Sequence, residues 1–121
     1  MKRLPGLRVL VVEDNPVIAF DLDDTLKEQG VEVVGPALDL ASGLALARDE
    51  PLDGAVLDID IGGEPVWPIA RQLMGEGVPF VFVSGEGHRS VPADFDGAVC
   101  IDKPAAARAL LLTVAEIAKP R

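Results

Sequence analysis

The stretch Val9-Leu10-Val11-Val12-Glu13-Asp14-Asn15-Pro16 holds a strand, a turn and a helix start in succession. Its apolar residues run without a polar break, as in a strand covered on both faces, the pattern of a parallel sheet lying between helices. Glu13 and Asp14 close the run. Asn15 followed by Pro16 has the form of an N-cap with proline at the first helical position. The helix that starts there ends at Gly30, with Ile18, Leu22 and Leu26 as its inner stripe. Asp21, Asp24, Lys27 and Glu28 occupy its other face.

The same alternation continues outward from this unit. Further apolar runs stand at Val31-Glu32-Val33-Val34, Ala55-Val56-Leu57, Pro79-Phe80-Val81-Phe82-Val83 and Ala98-Val99-Cys100-Ile101. A second helix is predicted from Asp39 to Asp49, with Leu40, Leu44 and Ala47 inward. A third is predicted from Glu64-Pro65 to Gly75, with Ile69, Ala70 and Leu73 inward, and Pro68 restricts its first turn. The last runs from about Ala105 to Ala118, with Ala107, Leu110, Leu111, Val114, Ile117 and Ala118 at helical spacing. Between Ser84 and Gly97, the breakers Gly85, Gly87, Pro92 and Gly97 leave room for at most a short helix. Strands alternating with helices through right-handed crossovers give an α/β doubly wound, five-stranded parallel sheet of order 2-1-3-4-5 with a shortened fourth helix.

The chain has 121 residues, the length of one domain, and no repeat or linker divides it. Because the last helix reaches the end of the sequence, the expectation is a single domain over residues 1–121 with no output domain. Twenty acidic against eleven basic side chains give a formal charge of −9, which disfavours nucleic acid and anionic membrane as partners. The 4% aromatic content argues against reading bases by stacking. One cysteine excludes a disulfide framework, and one histidine excludes a Ser-His-Asp triad and a His-rich metal site. No apolar segment approaches a membrane span, and the brief run after Met1-Lys2-Arg3 is not a signal peptide, so the expected compartment is the cytoplasm.

In a sheet of this kind, ligands bind beyond the carboxyl ends of the strands, at the point where the strand order reverses. The polar residues there are Glu13-Asp14, then Asp58 followed by Ile59-Asp60, then Ser84-Gly85, then Asp102-Lys103-Pro104. Two carboxylates about 5 Å apart repel by roughly 3 kcal/mol at an effective dielectric near 20. Three together raise a pKa or recruit a cation. Such an all-oxygen set suits Mg²⁺. A carboxylate also attacks phosphorus to give an acyl phosphate, with the metal neutralising the incoming charge, Lys103 supplying a point charge and Ser84 a hydroxyl donor.

Taken in order, Leu10-Val11-Val12-Glu13-Asp14-Asn15, Val56-Leu57-Asp58-Ile59, Val83-Ser84-Gly85 and Asp102-Lys103-Pro104 resemble the receiver domain of two-component response regulators over nearly the whole chain. The resemblance implies a flavodoxin-like fold and a phosphorelay role. It makes Asp58 the phosphoacceptor and Asp14 the direct Mg²⁺ ligand. Glu13 would act through a metal-bound water, and the backbone carbonyl of Asp60 would complete the ligands. Ser84 becomes the switch hydroxyl, the Gly85 amide meets the phosphoryl group and Lys103 pairs with it. The implied donor is the phosphohistidine of a sensor histidine kinase or a histidine phosphotransfer protein. Output would pass to an unidentified downstream protein by contact, or end in a phosphate sink. The chain would be no enzyme beyond its own phosphorylation and dephosphorylation.

Val34-Gly35-Pro36-Ala37, Gly62-Gly63-Glu64-Pro65 and Val78-Pro79-Phe80-Val81-Phe82 are similar to a stand-alone subset marked by Pro-Phe-x-Phe-Ala-Thr-Gly, with Val83-Ser84 here in place of Ala-Thr. Cys100 occupies the position where receivers carry the aromatic that swings inward with the switch hydroxyl, and Ala105 stands where Phe is common. Positions two beyond the phosphoacceptor and two beyond the switch hydroxyl, Asp60 and Glu86, are placed to tune phosphoryl lifetime.

Plainer readings accompany these. Asp60 lies beyond the apolar run and is a decoy as phosphoacceptor, Cys100 reads as a buried small apolar residue, His88 as a solvated loop residue and Trp67 as packing on the third helix. One alternative function is a degenerate receiver that binds a partner independently of phosphorylation. Another is a flavodoxin-like cofactor domain, but no Gly-rich phosphate loop follows the first strand and no Gly-x-x-x-x-Gly-Lys motif occurs.

Overall fold

The computed structural model describes residues 5–85, 91–102 and 107–118. β1 (Arg8–Val12) is followed by α1 (Pro16–Glu28), β2 (Glu32–Ala37), α2 (Leu40–Asp49) and β3 (Gly54–Asp58). A two-residue ladder of β4 (Asp60–Ile61) and β5 (Glu64–Pro65) precedes α3 (Trp67–Gly75). Then come β6 (Phe80–Ser84), a 3-10 turn (Ala93–Phe95), β7 (Val99–Asp102) and α4 (Ala107–Ile117). The main sheet is parallel throughout in the order β2-β1-β3-β6-β7. Counted along the chain, its five strands stand 2-1-3-4-5, as the alternation of strands and helices requires.

Side-chain alternation divides the core between the two faces. Leu10, Val12, Ala55, Leu57 and Phe82 point toward α2 and α3, while Val9, Val11, Val56, Val81 and Val83 point toward α1 and α4. Leu10, Leu57 and Phe82 have no solvent exposure, and burying a side chain of that size contributes about 1.5–3 kcal/mol. Gly43 lets α2 approach this core, since a Cβ there would lie 2.7 Å from Ile69 Cδ1 and 3.2 Å from Val12 Cγ2.

The helix ends follow their local chemistry. Asn15 Oδ1 accepts from the amides of Val17 at 2.9 Å and Ile18 at 3.4 Å, and Asp39 Oδ1 accepts from Ser42 N at 2.7 Å. These bonds occupy orphan donors of the first turn. The inner face of α1 is Ala19, Leu22, Asp23 and Leu26, so Ile18 is not part of the stripe as expected but stands 42% exposed.

One correction concerns the loop before the third helix. α3 begins at Trp67 rather than Glu64, because Glu64 and Pro65 pair with Ile61 and Asp60. Pro68 is accommodated in the first turn of that later start. The hairpin closes through Gly62 and Gly63 at φ +59° and +86°, backbone values for which glycine carries no steric cost.

In the fourth crossover, the described residues contain only the 3-10 turn, as a shortened fourth helix requires. Its Phe95 is buried and packs edge-on against Phe80 and Phe82 and tilted against Trp67, with ring centroids 5.5 to 6.0 Å from its own. Arg71 caps the turn, 3.0 Å from Asp94 and 5.3 Å above the Phe95 ring. β7 is left thinly covered: Val99, Cys100 and Asp102 are exposed, so Cys100 is not the buried residue its apolar context suggested. No described helix is long and apolar enough to cross a membrane.

Candidate functional site

Strand register brings the site to one edge. β1 runs beside β3 with Val12 opposite Leu57, β3 beside β6 with Asp58 opposite Val83, and β6 beside β7 with Ser84 opposite Asp102. The last residues of β3, β6 and β7 are therefore Asp58, Ser84 and Asp102, and β1 hands over directly to Glu13 and Asp14. Glu13, Asp14 and Asp58 each offer a carboxylate oxygen within 4.8 Å of the others. Glu13 and Asp58 are buried at 4% and 6% exposure, whereas Asp14 faces solvent.

Peptide N–H groups fix these carboxylates. Glu13 Oε2 accepts from Asn15 N at 3.0 Å, and Asp58 Oδ1 accepts from Asp60 N at 3.3 Å. Asp14 Oδ2 accepts from Gly62 N at 3.0 Å, so the Gly62-Gly63 hairpin reaches back across the edge to hold it. Burial is the largest influence on Asp14 and raises its pKa. The Gly62 amide, hydrogen bonds with Glu13, its own backbone N–H and Asp58 together outweigh that influence, and the net shift is below the ordinary 3.8. Asp14 is therefore not a member of the cluster whose pKa is raised.

Asp60 sits in β4 paired with Pro65, half-buried, one step beyond the cluster. Ser84 is 1% exposed and its Oγ donates to Asp102 Oδ1 at 3.1 Å, while Cys100 Sγ lies 3.6 Å from Ser84 Oγ. Gly85 follows at the strand end, half-buried. Lys103, Glu86 and His88 lie outside the described residues. Between α1 and α4 a cavity of about 340 Å³, floored by Val11, Val56 and Val83, opens beside Glu13 and Asp58. That volume is in the range that admits a small ligand or an inserted side chain.

Two participants carry no assignment from the sequence alone. Gly62 supplies an amide to Asp14, and the sequence signal for it is the Gly-Gly pair itself, which suits a two-residue hairpin turn. Asp102 reads in the sequence only as the end of the last strand, and its partnership with Ser84 needs the strand register.

The donor set is entirely oxygen and clustered tightly enough to hold one hard divalent cation. The buried carboxylate of Asp58 and the buried hydroxyl of Ser84 end adjacent strands of the same edge.

No protein-family model matches the chain. The sensor protein TorS of Escherichia coli K12 is 30% identical over 86 residues, which is 71% of this chain and 9% of TorS. The chain spans between about a tenth and a third of the length of the curated relatives it matches. The solution structure of SdrG from Sphingomonas melonis Fr1 superposes with a TM-score of 0.79 at 33% identity, covering 92% of this chain and 95% of SdrG. A response regulator from Burkholderia pseudomallei, whose crystal structure holds a phosphorylated aspartic acid, a calcium ion and citrate, has a TM-score of 0.73 at 25% identity, covering 91% of this chain and 66% of that one.

Proposed function

Because this chain belongs to the response regulator receiver family, we propose that it is a phosphoaccepting relay module in which Asp58 takes a phosphoryl group from the phosphohistidine of a sensor histidine kinase or a histidine phosphotransfer protein. The observation that carries this reading is the meeting of Glu13, Asp14 and Asp58 within 4.8 Å at the strand ends, with Ser84 closing the adjacent strand. The phosphorylated aspartic acid in the Burkholderia relative supports the same chemistry here.

In the transfer, an Asp58 carboxylate oxygen forms a bond to phosphorus as the histidine nitrogen–phosphorus bond breaks. The electron pair returns to the imidazole nitrogen, which takes a proton from solvent. Asp60 N–H holds Asp58 Oδ1 and so fixes the attacking carboxylate. Burial of Asp58 keeps bulk water from the product. Ser84 and the Gly85 amide, with Lys103, are assigned to the phosphoryl oxygens, and Cys100 fills the place of the usual switch aromatic. Glu13, Asp14, Asp58 and the Asp60 carbonyl are assigned to Mg²⁺, which supplies charge neutralisation for the incoming group. Asp60 and Glu86 are assigned to the lifetime of the acyl phosphate. Residues 1–121 act as one receiver unit in the cytoplasm, with output through protein contact or as a phosphate sink.

Incubation with acetyl phosphate and Mg²⁺, followed by intact mass measurement, tests the reading. One added phosphoryl group that is lost in Asp58→Asn is the expected result. No mass gain under conditions that label a known receiver would overturn it in favour of phosphorylation-independent partner binding.

A further inference from the structure

We infer that Asp102 is a latch for the switch hydroxyl: in the resting state its carboxylate holds the Ser84 proton that a phosphoryl group on Asp58 must capture. This rests on the receiver reading of Ser84 and adds a positioning residue to it.

The latch follows from strand register. Ser84 and Asp102 are opposed across the β6–β7 pairing, and opposed residues of neighbouring strands project to the same face. Ser84 Oγ donates to Asp102 Oδ1 at 3.1 Å. A hydroxyl has one proton and two lone pairs. The proton is engaged by a carboxylate, and the Cys100 thiol, 3.6 Å away, points its weak donor at the oxygen. The side chain of Ser84 is 1% exposed, so water does not compete freely for that proton. Asp102 itself is exposed, so solvent screening weakens its hold and allows release.

Two anionic acceptors thus compete for one donor. A phosphoryl oxygen on Asp58 gains the Ser84 hydrogen bond only as Asp102 loses it, so part of the binding free energy of the switch is offset by breaking the resting bond. The closing step is an exchange of acceptors at Ser84 rather than the rotation of a large ring, consistent with Cys100 standing where receivers carry an aromatic. Asp102 touches no reacting atom. It acts through Ser84.

Titration with beryllofluoride and Mg²⁺, a phosphoryl mimic, measures the competition. Asp102→Ala is expected to raise the apparent affinity about three- to tenfold, the size of one screened hydrogen bond to a charged group. Asp102→Asn, which keeps an acceptor oxygen but loses the charge, is expected to fall between wild type and Asp102→Ala. In a Ser84→Ala background, Asp102→Ala is expected to change nothing. Equal affinities for wild type and Asp102→Ala would overturn the latch alone. So would an increase of the same size in the Ser84→Ala background, which would report a long-range charge effect. No beryllofluoride binding by the wild type would overturn the receiver reading and the latch with it.

Discussion

Acidic side chains gather at both ends of the sheet, but the two ends treat them differently. At the amino ends of the strands, the Arg8 guanidinium bonds Glu32 and, at 2.8 Å, Glu50, while its Nε donates to Pro51 O at 2.8 Å. Arg8 N adds a bond to Asp53 Oδ2 at 2.8 Å. At the carboxyl ends, Glu13, Asp14 and Asp58 are held by the peptide N–H groups of Asn15, Gly62 and Asp60. A guanidinium with five fixed donors closes its site. Peptide amides orient carboxylates without bringing a full positive charge to them. Clustered acids are thus stapled by a guanidinium at one end and oriented by peptide amides at the other, where the proposed reaction would take place.

The largest expected effect separates the two ends cleanly. Asp58→Asn should reduce phosphoryl uptake to background while leaving the urea unfolding midpoint nearly unchanged. Label appearing at Asp60 instead would erase the distinction between the carboxylate that reacts and the one that neighbours it. Next in size, Asp14→Ala should weaken Mg²⁺ binding by about ten- to a hundredfold, measured by titration, since one ligand of a small hard-cation site is lost. Unchanged affinity would place the metal elsewhere.

The opposite end should respond in stability rather than chemistry. Arg8→Met should cost about 1–2 kcal/mol in urea unfolding, because the guanidinium is largely buried while its Glu partners are half open to water. Phosphorylation of the folded Arg8→Met protein should proceed as in wild type. Slowed labelling in that variant would show that the two ends are coupled.

The smallest effect is in the acid limb. Asp14 and Asp39 both have pKa values lowered by folding, Asp39 through the Ser42 backbone and side chain at the α2 cap. A carboxyl group with a lowered folded-state pKa contributes stability above its unfolded value, ordinarily near 3.8, and that contribution disappears as pH falls through the folded value. Asp14→Asn and Asp39→Asn should each flatten the loss of stability below about pH 4, with little change near neutrality in the slope against pH. An acid limb identical to wild type would mean the amide bonds do not favour the ionised forms.

How much of this was legible in the sequence depends on the range of the interaction. Asn15-Pro16 announces α1 because a cap and a first-turn proline act within a few residues. The apolar runs announce the sheet order because parallel strands need crossovers, and the crossovers have one hand. The Glu13, Asp14 and Asp58 cluster follows once those strands share an edge. What stayed hidden needed register or a neighbour. Ile18 falls at helical spacing with Leu22 and Leu26, yet it is Ala19 that faces the core, because a one-residue rotation of a helix leaves the spacing unchanged. Glu64-Pro65 looks like a helix start until Gly62 and Gly63 fold it back on Asp60-Ile61. Cys100 sits in an apolar run, but how deeply a strand residue lies depends on what covers it, and that cover is set by the crossover rather than by the run. The bond from Ser84 to Asp102 spans eighteen residues and exists only through pairing.

The aromatic plug in the fourth crossover has an optical consequence. The sequence contains one tryptophan and no tyrosine, so near-ultraviolet emission comes from a single place. Trp67 meets Phe82 edge-on at 5.5 Å and Phe95 at 5.7 Å. Phe82 lies two residues before Ser84 and opposite Cys100, and Phe95 belongs to the crossover itself. The indole therefore touches both the strand that ends at Ser84 and the 3-10 turn of the crossover that follows it. Any repacking between them alters the polarity and quenching around one chromophore, and the protein carries its own label at the joint through which a signal from the proposed site at Asp58 would pass.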